Sequence, residues 1–204
     1  MSSSIRLREK ANVCDFMATS FFFYDLETSG FNPREARIMQ FAGQRTDSSL
    51  RPIGPSFNHL IRLTEDVLPD PDAVLLTGIT PQQTLSEGLS EAAFLKLMHE
   101  QIVLPDTIFV GYNSVRFDDE FIRYLHWRNY YDAYEWHWQH GCSRWDILDV
   151  VRMTRALRPD GIAWPVDADG KLHNTSFSGI KSRRFKIIEE KTGGHKVADV
   201  SLLP

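Results

Sequence analysis

Two acidic side chains, Asp25 and Glu27, stand two positions apart at the end of the aromatic run at residues 21–24. The run and the turn residues after it predict a buried β-strand. Because side chains alternate between the two faces of a strand, both carboxylates should leave the same face. Paired carboxylates repel each other and are costly to desolvate, and a divalent cation such as Mg²⁺ or Mn²⁺ removes both costs. A solvated strand end is the plainer interpretation of the same pair.

A second acidic cluster lies in GYNSVRFDDE, residues 111–120, which follows one predicted strand and opens a predicted helix. Asp118 and Asp119 fall in the first turn of that helix, where the helix dipole favours negative charge. That position alone explains an ordinary first-turn acid. The functional alternative makes Asp118 a third carboxylate on the metal site, with Asn113 as a polar neighbour. The two acidic clusters together are more specific than either one alone.

The hydrophobic pattern indicates which elements must position these groups. Strands are predicted over residues 21–24, 36–46, 57–63 and 108–111, and helices over 90–103, 117–127 and 143–157. Ser90 is a plausible N-cap. Three successive strands followed by alternating helix and strand predict an α/β domain with a mixed central sheet and flanking helices.

We expect three regions along the chain: a polar leader over residues 1–20, a core over 21–171, and a divergent tail over 172–204, for which disorder is one alternative. The chain has 204 residues, 42% of them hydrophobic and 25% charged, which is ordinary for one globular domain. A net charge of −4 argues against a protein that coats duplex DNA through bulk positive charge. The two cysteines, and the lack of a signal sequence or a membrane-spanning run, favour the cytoplasm.

Three segments carry a resemblance to a known family: YDLETSGFNP (residues 24–33), LLTGITPQQ (75–83) and the long stretch 111–165. They closely resemble the DnaQ-like (DEDD) 3′→5′ exonucleases, and among them the bacterial exonuclease I enzymes. The resemblance implies a ribonuclease H-like fold and two Mg²⁺ ions, for which Mn²⁺ can substitute. It also implies release of nucleoside 5′-monophosphates from the 3′ end of single-stranded DNA, in repair and recombination.

By this resemblance, Asp25, Glu27 and Asp118 match three of the family's four metal-binding carboxylates. The family's last motif places a catalytic His and the fourth Asp five positions apart on a helix, whereas His195 and Asp199 are four apart here. The chain therefore departs from the family after about residue 171, and its last helix should be missing or altered. His195 as general base and Asp199 as metal ligand is one interpretation. Ordinary tail residues and an interrupted reading frame are the others.

Arginine and aromatic side chains alternate through residues 123–155, a pattern suited to single strands because bases stack on aromatic rings. Trp127 and Trp145 are expected in the core instead. The resemblance implies single-stranded DNA as a partner and possible contact with a single-strand-binding protein. We expect no membrane partner and a monomer. Five side chains are the expected substrate contacts: Glu27, Arg123, Tyr134, Trp138 and Arg152.

Two other functions stay open from the sequence. One is a non-catalytic binder of single-stranded DNA, an incomplete nuclease that keeps its groove. The other is an RNA-trimming exonuclease of the same superfamily. Losing a positioned general base costs about 10²–10⁴ in rate, so a chain without the last motif is expected to cleave weakly or only to bind.

Overall fold

The structure is a computed structural model that describes residues 19–158 and Asp160. The strands of this part of the chain are β1 (Ser20–Thr28), β2 (Ile38–Thr46), β3 (Phe57–Leu60), β4 (Thr107–Gly111) and β5 (Ser143–Asp146). Its α-helices are α1 (Pro71–Thr77), α2 (Pro81–Glu87), α3 (Glu91–Leu97), α4 (Asp118–Arg128) and α5 (Ile147–Leu157). A π-helical turn, Met98–Ile102, continues α3.

The five strands form one mixed sheet in the order β3-β2-β1-β4-β5. The central strand β1 is antiparallel to β2 and parallel to β4, while β3 and β5 form the two edges. The predicted mixed sheet of an α/β domain is confirmed.

The core lies against one face of β1, because alternate residues of that strand are buried. Phe22, Tyr24 and Leu26 pack in this core. Rings from the neighbouring strands and from the loop after α4 surround them, including Phe109 and Trp136. The opposite face of β1, which carries both acidic residues, is only partly buried.

One predicted element is wrong, and two helices that the sequence pattern does not predict are present. Residues 143–157 form a strand followed by a helix rather than one helix, because 143–146 pair with β4 and α5 begins only at Ile147. Helices α1 and α2 were not predicted. Each has only seven residues and starts with a proline at its first position, after the side-chain caps Asp70 and Thr80.

The expected burial of two tryptophans is also wrong. Trp127 is 68% exposed on α4 and Trp145 is 57% exposed on the edge strand β5, whereas Trp136 is 1% exposed in the core. Helical spacing places Trp127 two residues beyond the buried Leu125, on a different face of α4. Trp145 lies on a strand with a neighbour on one side only.

Ser90 is confirmed as the N-cap of α3, since its Oγ accepts a hydrogen bond from the backbone N–H of Ala93 at 3.2 Å. β1 begins at Ser20, one residue inside the predicted leader. The predicted tail, with the altered last helix, lies outside the described residues. None of the helices within residues 19–158 combines the length and the apolar character that crossing a membrane requires.

Candidate active site

The candidate site lies at the end of β1, where the central strand extends past its parallel neighbour. The pairing of β1 with β4 runs from Ser20 to Phe23 only. Beyond it, Asp25 and Glu27 are paired with β2 alone. Both lie on the partly buried face of β1, as the strand periodicity predicts. The two carboxylates therefore occupy an end of the sheet that β4 leaves open.

The first turn of α4 comes to this open end. Asp118 is 2% exposed, and its Oδ1 accepts a hydrogen bond from the backbone N–H of Leu26 at 3.2 Å. Leu26 is the residue between Asp25 and Glu27. The backbone of Leu26 is thus joined to a side chain 92 positions away. The predicted first-turn position of Asp118 is confirmed.

The loop between β4 and α4 depends on two backbone features. Gly111 ends β4, and a Cβ there would lie 2.6 Å from Ser114 Oγ, so this close approach requires glycine. Asn113 follows with φ +61°, a left-handed conformation that asparagine tolerates better than most residues. The chain then makes a short 3₁₀ turn, Ser114–Arg116, before α4 begins.

Asp146, for which the sequence analysis predicts no role, holds this loop against the start of α5. Its Oδ1 accepts hydrogen bonds from the backbone N–H groups of Asn113 at 2.8 Å and Leu148 at 2.9 Å. Its Oδ2 accepts one from Val115 N–H at 3.2 Å. Asn113, expected as a polar neighbour of the metal site, therefore contributes a backbone N–H to Asp146. An acid directly before an apolar helical run is the cap signal that could have revealed Asp146.

Asp119, the neighbour of Asp118, is the other site residue that the sequence missed. It is 3% exposed, Tyr24 Oη donates to its Oδ1, and Arg144 Nη1 donates to its Oδ2 at 2.5 Å. Burial raises the pKa of Asp119, and the bonds from Tyr24 and Arg144 oppose that rise. Burial, followed by the charges of Asp119 and Asp118, raises the pKa of Tyr24 well above its usual value. No sequence signal marks Asp119, because its partners come from two distant strands.

The donor set at the end of β1 suits a hard divalent cation. Mg²⁺ in proteins commonly takes one or two carboxylates, with water and substrate phosphates as its other ligands. Within residues 19–158 no three His, Cys, Asp or Glu side chains are grouped so as to hold a metal ion. Asp25, Glu27 and Asp118 thus share one end of β1 without forming a complete protein cage.

The predicted substrate contacts lie on several elements. Arg123 on α4 lies over the rings of Tyr124 at 4.8 Å and Tyr134 at 5.8 Å, and it pairs with Glu120. Tyr134 and Trp138 are exposed in the loop that follows α4. Arg152 is exposed on α5, with Asp149 at 3.8 Å. The structure thus brings Arg123 and Tyr134 together and puts Arg152 on a separate helix. His195 and Asp199 lie outside the described residues.

Comparison with known proteins gives one consistent result. The family model RNase_T, described as exonuclease, matches residues 22–174. Exodeoxyribonuclease I of Escherichia coli (strain K12) is 49% identical over 168 residues, and that of Haemophilus influenzae is 44% identical over 181 residues. These alignments cover 80% and 89% of this chain, but only 35% and 38% of the relatives.

Solved structures agree with the sequence matches. The crystal structure of E. coli exonuclease I with a dA16 oligonucleotide has a TM-score of 0.71 at 49% identity, covering 74% of this chain and 32% of that one. A complex described as ExoI/SSB-Ct has a TM-score of 0.72 at 49% identity, covering 75% of this chain and 33% of that one. The chain thus spans about a third of the length of the proteins that it matches.

Proposed function

The chain belongs to the RNase_T exonuclease family, and we propose that it is the catalytic part of a metal-dependent 3′→5′ exodeoxyribonuclease. Its fold is the predicted ribonuclease H-like exonuclease fold. The proposed substrate is single-stranded DNA, degraded to nucleoside 5′-monophosphates in repair and recombination. The observation that carries the proposal is the hydrogen bond from Leu26 N–H to Asp118, at the strand end that bears Asp25 and Glu27.

In this proposal Asp25, Glu27 and Asp118 hold two Mg²⁺ ions, with Mn²⁺ as an alternative. Two such ions, when bound, stabilise the attacking and leaving oxygens of an in-line displacement and lower the pKa of a bound water. Asp25 and Glu27 offer their oxygens from the partly buried face of β1. Asp118 is held against the backbone of that strand, so its position is fixed before any ligand arrives.

The remaining chemical roles fall to His195 as general base and Asp199 as the fourth metal ligand, as the resemblance to the family's last motif implies. Both lie outside the described residues, so their assignment depends on sequence alone. Separate variants of His195 and Asp199 test it. Loss of cleavage with retained DNA binding supports these roles, and unchanged cleavage contradicts them.

The proposed contacts with the DNA strand are Glu27, Arg123, Tyr134, Trp138 and Arg152. The exposed rings of Tyr134 and Trp138 offer faces for base stacking, worth about 1–3 kcal/mol per base. The guanidinium groups supply positive charge for the phosphates. We also propose a single-strand-binding protein as a partner, because an exonuclease I relative was solved as an ExoI/SSB-Ct complex. We propose that the chain acts as a monomer.

One observation favours a second candidate, a binder of single-stranded DNA that does not cleave. The described residues contain no group of three side chains that could hold a metal ion on its own. If residues 161–204 supply no further ligand, the surface at Arg123 and Tyr134 could still bind a strand. The same experiment separates the two candidates.

The test uses the full 204-residue chain with a 5′-labelled single-stranded DNA in Mg²⁺. We expect shortening from the 3′ end and release of mononucleotides. Asp25→Asn should reduce release by more than about 100-fold, since even outer-shell partners of a metal ligand cost 10–100-fold. DNA binding in EDTA should stay within about twofold. Glu100→Gln, an exposed acid paired with Lys96, is the matched control and should leave both properties unchanged.

Three outcomes contradict the proposal in different ways. Binding without release by the wild-type chain in both Mg²⁺ and Mn²⁺ supports the non-catalytic binder. Faster degradation of a matched RNA supports an RNA-trimming enzyme. If Asp25→Asn releases mononucleotides as fast as the wild type, the assigned metal site is wrong.

A further inference from the structure

A cluster of polar side chains, centred on the buried carboxylate of Asp119, lies next to the proposed metal carboxylates. It consists of Tyr24 on β1, Asp119 on α4 and Arg144 on β5, and we call it the Asp119 cluster. Each oxygen of the Asp119 carboxylate accepts one hydrogen bond, from Tyr24 Oη or from Arg144 Nη1. In the sheet, β4 lies between β1 and β5. Asp119 therefore connects the start of α4 to two strands that do not pair with each other.

Two residues of the cluster are neighbours in sequence of the proposed ligands. Tyr24 precedes Asp25, and Asp119 follows Asp118. The bond from Tyr24 to Asp119 and the bond from Leu26 to Asp118 therefore attach the first turn of α4 to β1 on both sides of Asp25. This arrangement fixes how far Asp118 can move from Asp25.

The start of α4 lacks the side-chain N-cap that usually stabilises the first turn of a helix. Phe117 occupies its N-cap position, and no side chain there makes a capping hydrogen bond. In α1, α2, α3 and α5, by contrast, a side-chain oxygen of the N-cap residue accepts a backbone N–H. The Asp119 cluster and the Leu26 bond take the place of that cap.

Stability alone does not explain a charge in this position. Replacing a buried ion pair by apolar residues of similar volume is often neutral or stabilising. What a buried charge with fixed partners provides is one defined arrangement, and metal ligands depend on such outer partners for their orientation. The Asp119 cluster is therefore suited to fix the positions of the neighbouring carboxylates.

We propose that Tyr24, Asp119 and Arg144 are positioning residues that hold Asp118 at a fixed distance from Asp25 and Glu27, and that they thereby set the affinity of this site for a divalent cation. The inference rests on the proposed function, because it takes these three carboxylates as the metal ligands. The ligand class is a hard divalent cation, with Mn²⁺ as its spectroscopic probe.

The experiment measures Mn²⁺ affinity of the full chain without DNA, from the electron paramagnetic resonance signal of free Mn²⁺. Tyr24→Phe, which removes a single oxygen atom, should weaken Mn²⁺ binding by about 10–100-fold. Arg144→Lys keeps the charge but not the planar fork, so its loss should be smaller than that of Arg144→Met. If these residues only stabilise the fold, Mn²⁺ affinity should not follow this order among folded variants.

Arg128→Lys is the matched control, because Arg128 is also an arginine paired with a carboxylate and lies at the other end of α4. It should leave Mn²⁺ affinity within about twofold. Far-UV circular dichroism checks that each variant folds, and if an Arg144 variant does not, Tyr24→Phe alone decides.

The possible failures are distinguishable. If the wild-type chain binds Mn²⁺, Asp25→Asn abolishes binding and Tyr24→Phe binds as tightly as the wild type, the positioning role is wrong and the proposed function stands. If the wild-type chain binds no Mn²⁺, both the proposed metal site and the positioning role are wrong. A loss shared equally by Tyr24→Phe and Arg128→Lys also contradicts the proposal.

Discussion

The two ends of α4 both bury polar side chains, but they do so in opposite ways. At its start, Asp118 and Asp119 are almost fully buried as acids, and their partners are a backbone N–H, a tyrosine and an arginine. Near its end, His126 is fully buried. Its Nδ1 donates to the carbonyl of Ile122 at 2.7 Å, and its Nε2 lies 3.1 Å from that of His99. One end keeps charge inside the protein, whereas the other keeps a neutral ring.

The difference follows from what surrounds each end. Burial lowers the pKa of His126 to about 4, so its ring is neutral at pH 7 and needs no counter-charge. At the start, Asp119 pairs with Arg144, and both acids lie at the positive end of the helix dipole, which compensates negative charge. A buried charge thus needs fixed partners that compensate it, whereas a buried neutral pair does not. The predictions below test this contrast.

The largest effect is expected at the charged end. Arg144→Met leaves the buried Asp119 without its cationic partner, which should lower the free energy of unfolding by about 3 kcal/mol. Urea denaturation at pH 7.5 measures it. Arg51→Met, which breaks an exposed pair with Asp47, should change stability by less than about 0.5 kcal/mol. Equal losses in the two variants would mean that Asp119 does not need Arg144.

The neutral end should make stability depend on pH. The pKa of His126 is about 6.5 in the unfolded chain and about 4 in the folded protein. Between these values the unfolded state binds a proton that the folded state does not bind. The free energy of unfolding is therefore unaffected by His126 above about pH 6.5. It falls by about 3 kcal/mol as the pH decreases from there toward 4. Burial lowers the pKa of His99 and His137 as well, which adds in the same direction.

Urea denaturation at several pH values between 7.5 and 4 checks this dependence. His126→Gln should flatten the decline, although the variant is less stable at pH 7.5. His140→Asn is the control, because His140 is exposed and its φ of +53° suits asparagine. A decline as steep in His126→Gln as in the wild type would contradict the assignment.

A smaller effect is expected from the ion pair at the end of α4. Glu91 accepts hydrogen bonds from Arg128 Nη2 at 2.6 Å and from Asn129 Nδ2 at 3.1 Å, and it joins α3 to α4. Glu91→Gln should cost about 1.5 kcal/mol, the usual size for hydrogen bonds to a charged group. The thermal or urea midpoint measures it against Glu100→Gln, whose exposed pair should contribute almost nothing. A loss no larger than that of Glu100→Gln would show that this ion pair does not hold α3 and α4 together.

The smallest effect is expected on the outer surface of the neutral end. Trp127→Ala removes a large ring that is 68% exposed, so stability should change by less than about 0.5 kcal/mol. A loss above about 2 kcal/mol, measured by urea denaturation, would mean that Trp127 is a core residue after all.

The elements with strong local patterns were predictable from the sequence. Alternation in β1 placed Asp25 and Glu27 on one face, and the serine before an apolar helical run predicted the Ser90 cap. The acids at the start of α4 were placed in its first turn correctly, because that turn follows a clear strand and loop. The resemblance to the exonuclease family added the fold, since its long central segment matches specifically.

What the sequence could not supply depends on contacts between distant segments. SRWD at residues 143–146 has no pattern that separates it from the helix after it, and only pairing with β4 makes it a strand. Asp119 was noted only as a first-turn acid, since Tyr24 and Arg144 reach it through the folded sheet. Trp127 was assigned to the core by residue type, and only the packing of α4 exposes it. The predicted roles of His195 and Asp199 remain predictions.

The separation of β1 and α4 along the chain also sets the order of events on the ribosome. Leu26 and Asp118 are 92 positions apart, so at 5–20 residues per second the second leaves the ribosome roughly 5–20 s after the first. During that interval β1 can pair only with β2, the strand made directly after it. The acidic end of β1 is thus completed only after Asp118 has been made, and a nascent chain that stops before α4 carries Asp25 and Glu27 without Asp118.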